Sequence, residues 1–102
     1  MKTKYRISER ALDDLERIWI YTLNKWSKEQ ADRYHKLLID EIEYITDNFE
    51  LCRNVDHIRA GYSVSKVKSH MIFFKKSDDN IVDVIRILHQ MMDIENRLEE
   101  EK

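Results

Sequence analysis

Proline is absent from this sequence, and glycine and cysteine occur once each, as Gly61 and Cys52. Without proline or clustered glycine there is no composition for a flexible linker or a low-complexity segment. Glycine-rich phosphate loops are excluded as well, because each needs more than one glycine. A lone cysteine cannot close an internal disulfide and suits a reducing compartment. No apolar run approaches the roughly 18 residues that a membrane span needs, and MKTKYRISER has no apolar core of a secretory signal. The four histidines, His35, His57, His70 and His89, are scattered, and no pair has ligand spacing inside one element, so neither a metal nor a cofactor is expected. These absences, with 102 residues and 42% apolar content, lead to the expectation of one soluble cytoplasmic domain with its own core.

An excess of one charge sign is also missing, since the formal net charge is −2. The charges are segregated, however. Residues 52–76 hold six basic side chains (Arg53, Arg59, Lys66, Lys68, Lys75, Lys76) against Asp56 alone, a local excess of 6 − 1 = 5. Such a segment suits an acidic partner or nucleic acid, and equally a solvated strand pair with lysines on its edge.

The chain opens with an extended stretch in which Lys4 and Arg6 alternate with Tyr5 and Ile7. Ser8 has the chemistry of a helix N-cap, and Ala11, Leu12, Leu15, Ile18 and Trp19 follow at spacings of three and four, predicting a helix to about Leu23. "SKEQ" is a capping box, with Ser27 at the cap and Gln30 three residues later. The stripe Ala31, Tyr34, Leu38, Ile42 and Ile45 carries the second helix to about Asn48. A helical hairpin results, with Trp19 and Trp26 near its turn as core and rim rather than a stacking platform. After an irregular segment from Phe49 to Arg59 the period changes to 2. "GYSVSKV", "HMIFFKK" and "IVDVIRILH" are strands, the last two apolar on both faces. Asp93 can cap a short last helix carrying Ile94 and Leu98. The prediction is an α+β fold: an N-terminal strand, then an antiparallel helical hairpin packed on a mainly antiparallel four-stranded sheet, order β-α-α-β-β-β, and a short C-terminal helix.

"VIRILHQMMD" brings Arg86, His89 and Asp93 close together, the residue types that acid–base catalysis on RNA uses. In an unbroken strand, Arg86 shares a face with Val82, Val84 and Leu88, while His89 shares the other with Ile85 and Ile87. The two then point apart unless a bulge intervenes. Arg86 can pair with a carboxylate at the rim, His89 can be a hydrogen-bonded strand-end histidine, and Asp93 a cap. Met91-Met92 is either core filler or an adaptable contact surface.

Three blocks, "LERIWIYTLNKWSKEQADRY", "IRAGYSVSKVKSHMIFFKK" and "IVDVIRILHQMMD", taken in order, resemble the ParE toxins of the RelE/ParE superfamily over residues 4 to 98. The chain departs from that pattern at loops: Ala60 stands for a proline before Gly61, and Lys68-Ser69 for a Gly-Arg turn. The resemblance implies the toxin of a bacterial type II toxin–antitoxin pair, of the kind associated with plasmid stabilisation. Such a toxin would trap DNA gyrase on cleaved DNA without being an enzyme. A ParD-like antitoxin would neutralise it and bring operator DNA to the complex. Arg59, Lys66, Lys68, Arg86, His89 and Asp93 become the candidate contacts to target or partner. The rival reading is a RelE-like ribonuclease that cuts messenger RNA on the ribosome. A pI near 6.1 and a tail, "MMDIENRLEEEK", without tyrosine argue against it. A degenerate toxin that binds only its antitoxin stays open.

Overall fold

The computed structural model describes residues 4–92 and 94–99. Strand β1 (Tyr5–Ile7) leads into helix α1 (Glu9–Lys25), and α2 (Lys28–Asp47) returns antiparallel to it. A single 3-10 turn (Phe49–Leu51) precedes β2 (Arg53–Asn54), and β3 (Ser63–Val67), β4 (His70–Lys76) and β5 (Val82–His89) complete the sheet before α3 (Ile94–Glu99). The strand order is β1-β5-β4-β3-β2, with β1 parallel to β5 and the other pairs antiparallel.

Both predicted caps form. Ser8 Oγ accepts the Ala11 N–H at 3.0 Å, and Ser27 Oγ accepts the Gln30 N–H at 3.1 Å. Each satisfies a helix N–H that has no partner inside its own helix. The hairpin lays Ala11 and Leu15 of α1, with Leu38, Ile42 and Ile45 of α2, over Ile72, Phe74, Val82, Val84 and Ile87. The opposite face of the sheet is covered too: Val55, Tyr62, Val64, Phe73 and Leu88 pack with Leu98 of α3. Two covered faces explain why β4 and β5 are apolar on both sides. Full burial of a side chain such as Phe73 or Phe74 stabilises by about 1.5–3 kcal/mol.

Two expectations need correction. The sheet has five strands rather than four, because Arg53 and Asn54 pair with Val64 and Ser63; two residues are too few to carry a readable period. The unbroken alternation of β5 also fails. Phe73 lies opposite Arg86 but Phe74 opposite Val84, so Ile85 is an extra, bulged residue. Val84 and Ile87 therefore share the helix-facing core, while Leu88 belongs to the other one. The bulge resets the register beyond it. Lys76 pairs with Val82, so an unbroken ladder would bring Leu88 opposite His70; with Ile85 inserted, His89 stands there.

β1 stops at Ile7, leaving the edge of β5 at the bulge to be finished by α1. Ser8 N–H donates to the Val84 carbonyl at 3.0 Å and Ser8 Oγ to the Ile85 carbonyl at 2.8 Å. Asp14 accepts the Ile87 N–H at 2.9 Å. Three backbone groups around the bulge thus find partners on α1 and its N-cap.

Candidate functional site

The sequence-derived candidates divide between two places. Lys66 of β3 is exposed and stands opposite Met71 on the sheet face away from the helical hairpin. Arg59 lies on the loop between β2 and β3, its guanidinium 5.7 Å from the centre of the Tyr62 ring, which Lys75 Nζ also approaches at 5.9 Å. Tyr62 is buried, so two cations are held over an aromatic face that cannot turn away. The loop carrying Arg59 is fixed without proline. Asp56 N–H donates to Asn54 Oδ1 at 2.9 Å, and Asp56 Oδ1 accepts the Gly61 N–H at 2.7 Å. Gly61 sits at φ +83°, in the left-handed region that glycine enters without strain.

On the other side, the turns α1–α2 and β3–β4 enclose an open cleft of about 750 Å³. Lys68 and His89 line it together with Lys25, Trp26, Arg33 and His70. The Tyr34 hydroxyl, from α2, lies 2.6 Å from His70 Nδ1 and 3.2 Å from the Val67 carbonyl oxygen. Burial pushes the Tyr34 phenol up, so it keeps its proton and acts as donor. The rings of His70 and His89 meet edge to face at 5.3 Å. Burial, and then the neighbouring His89, pull His70 down to about 4, leaving it neutral at pH 7. His89 Nδ1 accepts the Met91 N–H at 3.1 Å, which assigns its proton to Nε2 when the ring is neutral. No cluster of three potential ligands for a metal ion occurs among the described residues.

Arg86 joins neither place. Its Nε and Nη2 reach the two carboxylate oxygens of Asp14 at 2.8 and 3.0 Å, and both side chains are buried. The sequence suggested a carboxylate at the rim for it; the partner is instead Asp14 of α1, buried with it inside the fold. Asp93 lies outside the described residues. Met91 and Met92 are exposed, 82% and 45%, on the turn after β5, so they do not fill the core.

Tyr34, His70, Lys25 and Arg33 were missed as site residues. Tyr34 reads as one more member of the α2 stripe, and His70 gains a histidine neighbour only through the bulge. Trp26, expected at core or rim, closes α1 as its C-cap and is 69% exposed.

Residues 5–94 match the family described as "ParE toxin of type II toxin-antitoxin system, parDE". The chain is similar to Toxin ParE1 of Mycobacterium tuberculosis, at 35% identity over 98 residues, covering 96% of this chain and all of that protein. It is also similar to Toxin ParE1 of Caulobacter vibrioides, at 38% over 88 residues, covering 86% of this chain and 90% of that one. A solved structure titled "Chromosomal ParDE TA system from P. aeruginosa" shares the fold with a TM-score of 0.76 over 86% of this chain and 96% of that one, at 11% identity. The chain belongs to the ParE toxin family of type II toxin–antitoxin systems.

Proposed function

We propose that this toxin inhibits DNA gyrase in the cytoplasm by trapping the enzyme's cleaved complex with DNA, and that a cognate ParD-like antitoxin neutralises it. Membership of the ParE family over nearly the whole chain is the observation that carries this reading. The geometry of the "RILH" strand supports a binder over a ribonuclease. Arg86 is spent on Asp14 inside the fold, and His89 holds the Met91 backbone with one nitrogen. Operator DNA would be met only through the antitoxin.

Arg59 and Lys66 are the first candidates for the gyrase contact, since both present charge on the sheet face opposite the hairpin. Lys68 and His89, on the cleft side, and Asp93 are the second group. Arg86 would act through the fold rather than by contact. The test incubates purified toxin with gyrase, ATP and relaxed plasmid. Linear DNA released by detergent and protease is the expected result. Unchanged supercoiling, with messenger RNA cut on ribosomes instead, would replace the reading with the ribonuclease. No effect in either assay would leave a toxin that binds only its antitoxin.

A further inference from the structure

The cleft between the α1–α2 turn and the β3–β4 turn holds Lys68 and His89, the second group of contact candidates, but its other cations and its open rings have no use in the gyrase reading. Lys25, Arg33 and Lys68 stand around it, and no acidic side chain among the described residues lines it. The side chains of Arg33 and Lys68 make no ion pair or hydrogen bond among the described residues. Lys25 Nζ is 3.1 Å from the Tyr21 hydroxyl and 5.5 Å from the centre of that ring, so its polar partner among the described residues is an aromatic that is itself exposed. Tyr21 and Trp26 are 61% and 69% exposed, two large rings left open to solvent at the mouth. On a chain of net charge −2, three unneutralised cations beside two open rings form a local exception.

Exposed rings cost hydration free energy unless something stacks on them, and cations spaced around a groove follow a chain of anions. An acidic peptide would satisfy the cations but has no use for two open aromatic faces. A single nucleic-acid strand satisfies both, since every base has a face to stack and every linkage a phosphate. Duplex does not, because its bases are already stacked. His89, whose Nδ1 accepts the Met91 N–H, adds an Nε2–H donor for a phosphate oxygen or a base edge.

We propose that this cleft binds single-stranded nucleic acid, with a base stacked on Trp26 or Tyr21 and phosphates on Lys25, Arg33 and Lys68. The site is independent of which enzyme the toxin inhibits, so the gyrase assay and the binding assay can fail separately.

The experiment titrates purified full-length toxin into fluorescent oligothymidylate of about 12 nucleotides, within the span that small single-strand sites occupy. Oligouridylate, a duplex and polyglutamate of similar length run in parallel. Saturable binding is expected to single strands and not to duplex. Whichever of the DNA and RNA strands binds more tightly identifies the source. Raising salt from about 50 to about 200 mM weakens binding with a log–log slope of about −2, since three phosphates contribute about −0.7 each for single strands. Trp26→Ala weakens binding about tenfold, the usual size of one lost stack, while Trp26→Phe keeps it. The wild-type tryptophan emission is quenched by the strand, and that of Trp26→Phe is not. The Arg33→Glu/Lys68→Glu variant, at two exposed positions, abolishes binding with an unchanged circular dichroism spectrum. No anisotropy change at about 100 µM toxin, the weak end of non-specific affinity, overturns the proposal. So does polyglutamate binding as tightly as the strand with Trp26→Ala unaffected, which would make the cleft an acidic-peptide site.

Discussion

Asp14 receives three hydrogen bonds, two from Arg86 and one from the Ile87 N–H, all inside the protein. A buried ion pair adds little over a well-packed apolar pair, yet removing one member strands the other's charge. Arg86→Ala, which leaves the buried Asp14 carboxylate without its cation, is expected to lower unfolding free energy by about 3–5 kcal/mol, read as a shift of the urea midpoint. The joint replacement Asp14→Leu with Arg86→Met should recover much of that loss. A midpoint for Arg86→Ala within experimental scatter of the wild type would return Arg86 to the list of direct contacts. Backbone conformation at two turns makes a second residue-scale prediction. Lys68 occupies φ +52° in the two-residue turn from β3 to β4, and Gly61 occupies φ +83°. Lys68→Gly should stabilise by about 0.5 kcal/mol, the relief of left-handed strain less the entropy glycine adds to the unfolded chain. Gly61→Ala should destabilise by about 1 kcal/mol, because no neighbour crowds the new Cβ and only the φ angle opposes it. Thermal melts of the two variants check the opposite signs.

Ser8 and Ser27 were legible as caps because a hydroxyl one turn before an apolar stripe has a single local use. The long elements α1, α2, β4 and β5 were legible because their periods run over many residues. β2 was not, and neither was the bulge at Ile85. A strand apolar on both faces shows no break in pattern when one residue is inserted, so parity cannot be read from it. That insertion decides which residue of β5 faces His70, and so whether a histidine pair exists at all. The packing of α2, β4 and β5 around this pair has a pH consequence. His70 is neutral when folded, at about 4 against its ordinary 6.5, with Tyr34 and His89 against it and Asp14 opposing the shift weakly. With the folded value depressed, the unfolded chain takes up the proton first. Stability from this group is therefore complete above 6.5 and is lost as the pH falls towards about 4. Urea midpoints across that window should fall more steeply for wild type than for His70→Gln. Parallel curves would assign the acid lability to carboxylates instead.

Across the whole molecule, the three sequence blocks that resemble the ParE family were enough to anticipate the order of elements, and the α+β architecture follows them. The sites were less legible. The cleft draws residues from α1, α2, the β3–β4 turn and the end of β5, and no local spacing announces such a meeting. The basic segment was visible as composition, but its division was not: Arg59 and Lys66 face away from the hairpin while Lys68 turns towards it. That division makes the proposed gyrase contact of Arg59 and Lys66 separable from the cleft. The most direct test of the account is the gyrase cleavage assay run with wild-type toxin beside the Arg59→Glu/Lys66→Glu variant, two charge reversals at positions outside the helix-facing core. The account predicts linear DNA with wild type and at least about a tenfold lower yield with the folded variant, the usual scale of a lost charged contact. Unchanged supercoiling with wild-type toxin would contradict the assignment of gyrase as target, and equal yields from the two proteins would contradict the face assigned to it.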